Sequence, residues 1–171
     1  MDDSTLECCL ISVILNTFVN KIKIIARDEL ADIKFDPLTV LIINTDVRNG
    51  SGGLHWVGLI VCEKKSGLEG HTFDSYARPL SDYKINVPFP IKSSSTKVVQ
   101  SNNSRLCGLY TINWIYWFIR GRSTKEIEAG FSTNLKKNDS QIFSLYRNLY
   151  LLSKKTKNKP LSCCTRLINK L

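Results

Sequence analysis

The chain has 171 residues, 43% hydrophobic and 23% charged, a mixture that supports one globular domain with a sizeable core and excludes a disordered tail. Lys and Arg total 24 against 15 Asp and Glu, a formal charge of +9 at pH 7, which favours polyanionic contacts such as nucleic acid or an acidic membrane surface. The six cysteines, at 8, 9, 62, 107, 163 and 164, have neither the spacing of a secreted disulfide framework nor that of a zinc ribbon; with only His55 and His71 as imidazoles, the expectation is a reducing compartment and no metal.

Met1-Asp2-Asp3 is an acidic start, unlike the basic one of a signal peptide. Ser4-x-x-Glu7 forms a capping box, and Leu6, Leu10, Val13, Ile14 and Phe18 recur at helical spacing, so residues 5–20 read as an amphipathic helix. After a polar break from Arg27 to Pro37, the β-branched run Leu38 to Asn44 reads as a buried strand. Leu54 to Cys62 reads as a second strand, Lys64 to Gly67 as a hairpin turn, and Gly70 to Ser75 as a third strand paired to the second. Pro79, Pro88 and Pro90 make 76–95 irregular, and Thr96 to Gln100 returns to strand character.

Beyond the polar loop Ser101 to Ser104, the stretch Arg105 to Arg120 is apolar on all sides, which predicts a central buried helix with Ser104 as its N-cap. Its apolar part, Leu106 to Ile119, is shorter than the ~20 residues that span a bilayer, so a soluble protein with no membrane span is expected. Ser123-x-x-Glu126 caps a short helix, and a last helix follows Asp139. Residues 154–171 form a basic tail whose Lys154, Lys155, Lys157, Lys159, Arg166 and Lys170 suit phosphate contacts, or form a solvated terminus. Helix, antiparallel strands and then helices make an α+β domain spanning 1–171.

Cys107 stands apart from the other cysteines because a polar loop precedes it and an apolar helix follows it. A sulfur at a helix N-terminus is favoured as thiolate, and Gly108 leaves room beside it for a carbonyl group; the alternative is a buried structural cysteine. A thiolate nucleophile needs an imidazole, best held by a carboxylate through its other nitrogen. His55 begins the second strand and Asp74 ends the third, so a hairpin brings both to one sheet end. His71 lies toward the hairpin turn, away from that end. Gln100, seven residues before Cys107, is a candidate side-chain donor for an oxyanion, or an ordinary strand-end glutamine.

Three blocks occur in one order: Asn44-Thr45 with Arg48 and Gly52-Gly53-Leu54-His55-Trp56, then Phe73-Asp74-Ser75-Tyr76, then Val99-Gln100 with Asn103-Ser104 and Cys107-Gly108-Leu109. Together they resemble the adenain family, the adenovirus maturation protease and its relatives among viral and ubiquitin-like-protein-specific cysteine proteases. The likeness covers about 40 to 120. It implies an adenain-like fold, a mostly antiparallel sheet packed on the helix that starts with the nucleophile. It also implies Cys107 as nucleophile, His55 as base, Asp74 as orienting acid and Gln100 as oxyanion donor, with no cofactor. Asp74 stands where adenain has glutamate, as in the cellular branch.

The resemblance further implies cleavage of extended segments after glycine, with Gly52 and Gly53 letting the substrate strand approach and Trp56 packing beside the histidine; the alternatives are a plain turn and a core aromatic. The expected substrates are capsid or core precursors of a virus, such as a virophage or related small DNA virus. DNA is expected as a sequence-independent activator. A monomer is expected in the virion and in the host cytoplasm or nucleus. Two alternatives stand beside this reading: an isopeptidase of ubiquitin-like modifiers, and a non-catalytic basic DNA-binding virion protein on the same scaffold.

Overall fold

The computed structural model describes residues 22–50 and 55–155, with side chains as far as Arg147. The helix expected over 5–20 lies outside the described residues. Among the described residues five strands form one sheet in sequence order: β1 (Ile22–Ala26), β2 (Val40–Asn44), β3 (Trp56–Lys64), β4 (Gly67–Phe73) and β5 (Ile91–Ser93). Pairing is antiparallel across β2, β3 and β4 and parallel at both edges, so the fold is α+β with a mixed sheet. Among the described residues three α-helices follow, α1 (Cys107–Phe118), α2 (Thr124–Ala129) and α3 (Leu135–Lys155).

The period-two alternation of strands divides the apolar residues between two cores. Val40, Ile42, Trp56, Ile60 and Phe73 pack with α1 on one face. Leu41, Ile43, Val57, Leu59 and Val61 pack on the other face with Leu30, Leu80 and Ile85. Leu30 and Leu80 come from short 3-10 helices at Arg27–Asp32 and Leu80–Tyr83. Both faces of β2 are therefore covered, which is why it reads as an unbroken apolar run.

Every residue of α1 from Cys107 to Tyr116 is buried, as expected of a helix apolar all round. Gly58 sets how closely it approaches the sheet: a Cβ there would lie 2.9 Å from Trp114 Cζ3 and 3.1 Å from Thr111 Cγ2. Thr111 Oγ1 donates to the Trp56 carbonyl at 3.3 Å, and Trp114 Nε1 donates to Thr124 Oγ1 at 3.1 Å, so α1 is fastened to β3 and to α2. The capping box of α2 is present, with Ser123 N donating to Glu126 Oε2 at 2.8 Å and Glu126 N to Ser123 Oγ at 3.3 Å.

Several local expectations are corrected. Ile22–Ala26 is a strand that the sequence pattern does not announce, because its support is the parallel ladder to β2 rather than an alternation of its own. The fourth strand expected at 96–100 is a loop, and the segment read as irregular holds β5 instead. Tertiary partners claim the loop's amides: Thr96 N and Lys97 N donate to the buried Glu128 carboxylate, and Val99 N and Gln100 N to the Ser75 carbonyl. The central helix starts at Cys107, two residues later than read, and its N-cap is Leu106; Ser104 Oγ accepts from Leu106 N at 3.3 Å instead. The last helix starts at Leu135, four residues before Asp139, with Asn134 Oδ1 accepting from Lys137 N at 3.1 Å as a capping side chain does.

Gly58→Val adds a branched side chain where a single carbon already meets the Trp114 ring. It is expected to destabilise the fold by about 1–3 kcal/mol or more through overpacking, read as a lower urea midpoint with an unchanged slope; an unshifted midpoint would refute the tight seat.

Candidate active site

The short β3–β4 hairpin brings the start of one strand beside the end of the other. Gly58 pairs with Phe73, so His55, one residue before β3, and Asp74, one residue after β4, fall at the same sheet end. His55 Nε2 lies 2.7 Å from Asp74 Oδ1. The Cys107 side chain stands beside the same imidazole, close enough to raise it. Cys107 is the first residue of α1 and reaches the sheet end from the helical face. All three side chains are buried, with relative exposures of 6% for His55, 2% for Asp74 and 9% for Cys107.

A buried carboxylate has to be compensated, and Asp74 has three donors. Besides His55, Tyr76 N donates to Oδ1 at 2.8 Å and Tyr83 Oη to Oδ2 at 2.6 Å. The first of these is the two-residue return of an Asx turn, closed by Ala77 N donating to the Asp74 carbonyl at 2.9 Å. Burial alone would raise the Asp74 carboxyl; His55, Tyr83 and the Tyr76 amide hold it below the ordinary carboxylate value. Burial likewise would lower His55, but the hydrogen bonds and charges of Asp74 and Cys107 outweigh it and push the imidazole up to about 9.

Burial and the Asp74 carboxylate both raise the Tyr83 phenol, which keeps it a donor. The Tyr83 and Tyr76 rings lie 5.6 Å and 5.0 Å from the imidazole, centroid to centroid. Burial and then the Cys107 charge raise the Tyr76 phenol, and its hydroxyl donates at 3.4 Å to the Ser101 carbonyl. Tyr76 thus bridges from the acid's turn to the loop before Cys107. That loop is tied down in turn, because Ser101 Oγ and Tyr110 Oη both donate to Asp139.

Gln100 lies in this loop rather than at a strand end, and it is wholly buried. Its Oε1 accepts from Ser75 Oγ at 2.7 Å, and its Nε2 donates to the Ser104 carbonyl at 2.9 Å. The structure therefore brings His55, Asp74 and Cys107 together and holds Gln100 in the loop leading to the sulfur. This constellation can support a thiolate–imidazolium pair oriented by a carboxylate.

The other sequence-derived candidates are placed differently. Gly52 and Gly53 lie outside the described residues. Trp56 is 5% exposed and packs in the core against α1. His71 faces Ile60 on β3, with Nδ1 2.8 Å from Ser93 Oγ and its ring against Phe118. Lys154 and Lys155 are the last residues of α3, which runs into the segment read as the basic tail; Lys157, Lys159, Arg166 and Lys170 lie outside the described residues. Tyr83 was missed in the sequence because it sits in the segment read as irregular, nine residues after Asp74. Pro79, which opens its 3-10 helix, is the one local signal that structure follows.

Tyr83→Phe removes one of three donors to a buried charge and is expected to cost about 1.5–3 kcal/mol at neutral pH. Because the folded value of Asp74 is lowered, its ionisation stabilises the fold above the ordinary carboxylate range, and that contribution is lost as pH falls through the folded value. The stability gap between wild type and Tyr83→Phe, followed by urea unfolding, is therefore expected to narrow on acidification; a gap independent of pH would contradict the assignment.

No family model and no curated protein matches the chain. Among solved structures the chain is similar to the ASFV pS273R protease, with a TM-score of 0.47 and 15% sequence identity, covering 77% of this chain and 61% of that one. The chain thus spans about three fifths of that protein's length, and the reading of the site rests on the site's own geometry.

Proposed function

We propose that the protein is a cysteine endopeptidase. The observation that carries this reading is a single imidazole held 2.7 Å from a buried carboxylate and set beside a cysteine at the N-terminus of a buried helix. In the reaction, the Cys107 thiolate attacks a peptide carbonyl, the S–C bond forms and the π pair moves onto oxygen. The Cys107 amide and Gln100 Nε2 donate to that oxyanion. Collapse re-forms the carbonyl and breaks the C–N bond as His55 gives its proton to the leaving amine, and a thioester remains. Water, losing a proton to His55, then attacks the thioester, and the thiolate departs.

The enclosure of the sulfur supports a narrow specificity. Cys107 is only 9% exposed, and Tyr76 closes one side of the Cys–His pair. A scissile glycine in an extended segment, as the adenain resemblance implies, would bring the least bulk to that sulfur. We take the substrates to be Gly-containing viral capsid or core precursors, in keeping with the adenain-like arrangement of motifs.

Cys107→Ala and His55→Ala are each expected to lower cleavage of a Gly-containing precursor by at least about 10³-fold. A peptide ending in a glycyl electrophile should label Cys107 in preference to the other five cysteines; indiscriminate labelling would indicate a non-catalytic protein. Release of ubiquitin-like conjugates in place of precursor cleavage would assign an isopeptidase.

Since the imidazole is held up to about 9, the proton needed by the leaving amine is retained at neutral pH and lost as pH rises. The alkaline limb of kcat/KM for an amide substrate is therefore expected near pH 9, as an apparent value of the Cys–His pair. A limb near the ordinary histidine value would contradict the pairing.

A further inference from the structure

Next to Asp74 stands a side chain whose hydrogen bond, among the described residues, goes to none of His55, Asp74 and Cys107. Ser75 is wholly buried, and its bonds run to one place. Its carbonyl accepts from Val99 N at 2.9 Å and Gln100 N at 3.3 Å, and its hydroxyl donates to Gln100 Oε1 at 2.7 Å. Backbone and side chain of Gln100 are thus both held by one residue of the acid's turn. The Val99 carbonyl is held from the other side, by Asn138 Nδ2 at 3.0 Å.

The terminal torsion of a glutamine is soft, and a half-turn would exchange its oxygen and nitrogen. The oxygen would then face the Ser104 carbonyl and any oxyanion beside it. Ser75 gives Oε1 a buried donor, and Ser104 gives Nε2 an acceptor. Among the described residues, Nε2 makes that one bond, and its second hydrogen is the one the proposed reaction would use.

We propose that Ser75 is a positioning residue for the oxyanion hole, fixing through its hydroxyl which end of the Gln100 amide faces the reacting carbonyl. This rests on the cysteine-protease reading and adds to it a link between the acid's turn and the oxyanion donor. One strand end then aligns both halves of the reaction: Asp74 orients the imidazole, and the next residue orients the amide.

Two reagents separate the oxyanion hole from the nucleophile. A glycyl peptide aldehyde adds the Cys107 sulfur to its carbonyl carbon, and the carbonyl oxygen takes up the proton released by the thiol, giving a hemithioacetal whose oxygen occupies the hole. Iodoacetamide forms an S–C bond as iodide leaves, with no oxyanion. Wild type, Ser75→Ala, Ser75→Thr, Gln100→Ala and the Ser75→Ala/Gln100→Ala double variant are compared, with alkylation at Cys107 read by peptide mass mapping.

Ser75→Ala is expected to weaken aldehyde binding about 10- to 100-fold, a positioning effect below the loss of a whole donor, and to lower kcat while KM stays within about 3-fold. Alkylation of Cys107 should stay within about 2-fold. Ser75→Thr, which keeps the hydroxyl, should recover aldehyde affinity, and the double variant should be no weaker than Gln100→Ala alone. Should Ser75→Ala fail to fold, Ser75→Cys, which replaces a strong donor with a weak one at similar volume, should show the same selective loss.

Retained aldehyde affinity, parallel loss of aldehyde binding and alkylation, or additive losses in the double variant would each overturn the assignment of Ser75. A wild-type protein that binds no aldehyde and shows no preferred alkylation of Cys107 would instead overturn the protease reading.

Discussion

The buried carboxylate of Asp74 is the constraint around which this end of the molecule is arranged. An ionised group only 2% exposed is tolerated only where its lone pairs are met by well-placed donors. Those donors come from separate parts of the chain: His55 from just before β3, the Tyr76 amide from the turn after β4, and Tyr83 from a 3-10 helix. Satisfying one charge therefore fixes the mutual position of all three segments. The left-handed backbone of Ala77 and Lys84, with φ of 56° and 57°, accompanies the tight path that brings Tyr83 back to the acid. Such backbone is costly outside glycine and persists where its surroundings require it.

The second requirement is that the sulfur be equally well fixed. Cys107 heads a helix whose first ten residues are all buried, so it has no solvent-facing side about which to adjust. Gly58 lets that helix sit close against β3, the strand that His55 precedes. Relative placement of imidazole and sulfur is thereby handed to strand-to-helix packing, which a dense core holds more rigidly than a loop would.

The two cores of the sheet have different parts in this arrangement. Continuing the strand alternation, His55 is in step with Val57 and Asp74 with Thr72, on the face away from α1 that also carries Leu80. Tyr83 reaches Asp74 from that face, while Cys107 comes from the helical one. The site thus forms where the two faces meet, at the open end of β3 and β4. Ser75 and Tyr76 cross between them, one toward Gln100 and the other toward Ser101.

Local patterns were enough to identify the hairpin, the all-round apolar helix and the Ser123–Glu126 cap, because each rests on neighbours in sequence: a turn, a period or a three-residue spacing. The hairpin alone is enough to bring His55 and Asp74 to one end, and the polar-to-apolar switch at 105–107 is enough to single out one cysteine among six. Contacts between distant segments decided the rest. Val98 and Val99 have strand propensity, yet Glu128, Asn138 and Ser75 take the hydrogen bonds around them and leave a loop. β1 exists through its ladder with β2. Tyr83 has no sequence signature, and Ser75 enters only as a member of the Phe73–Tyr76 block, because what each does depends on which buried acceptor lies opposite it, and only the packed chain determines that.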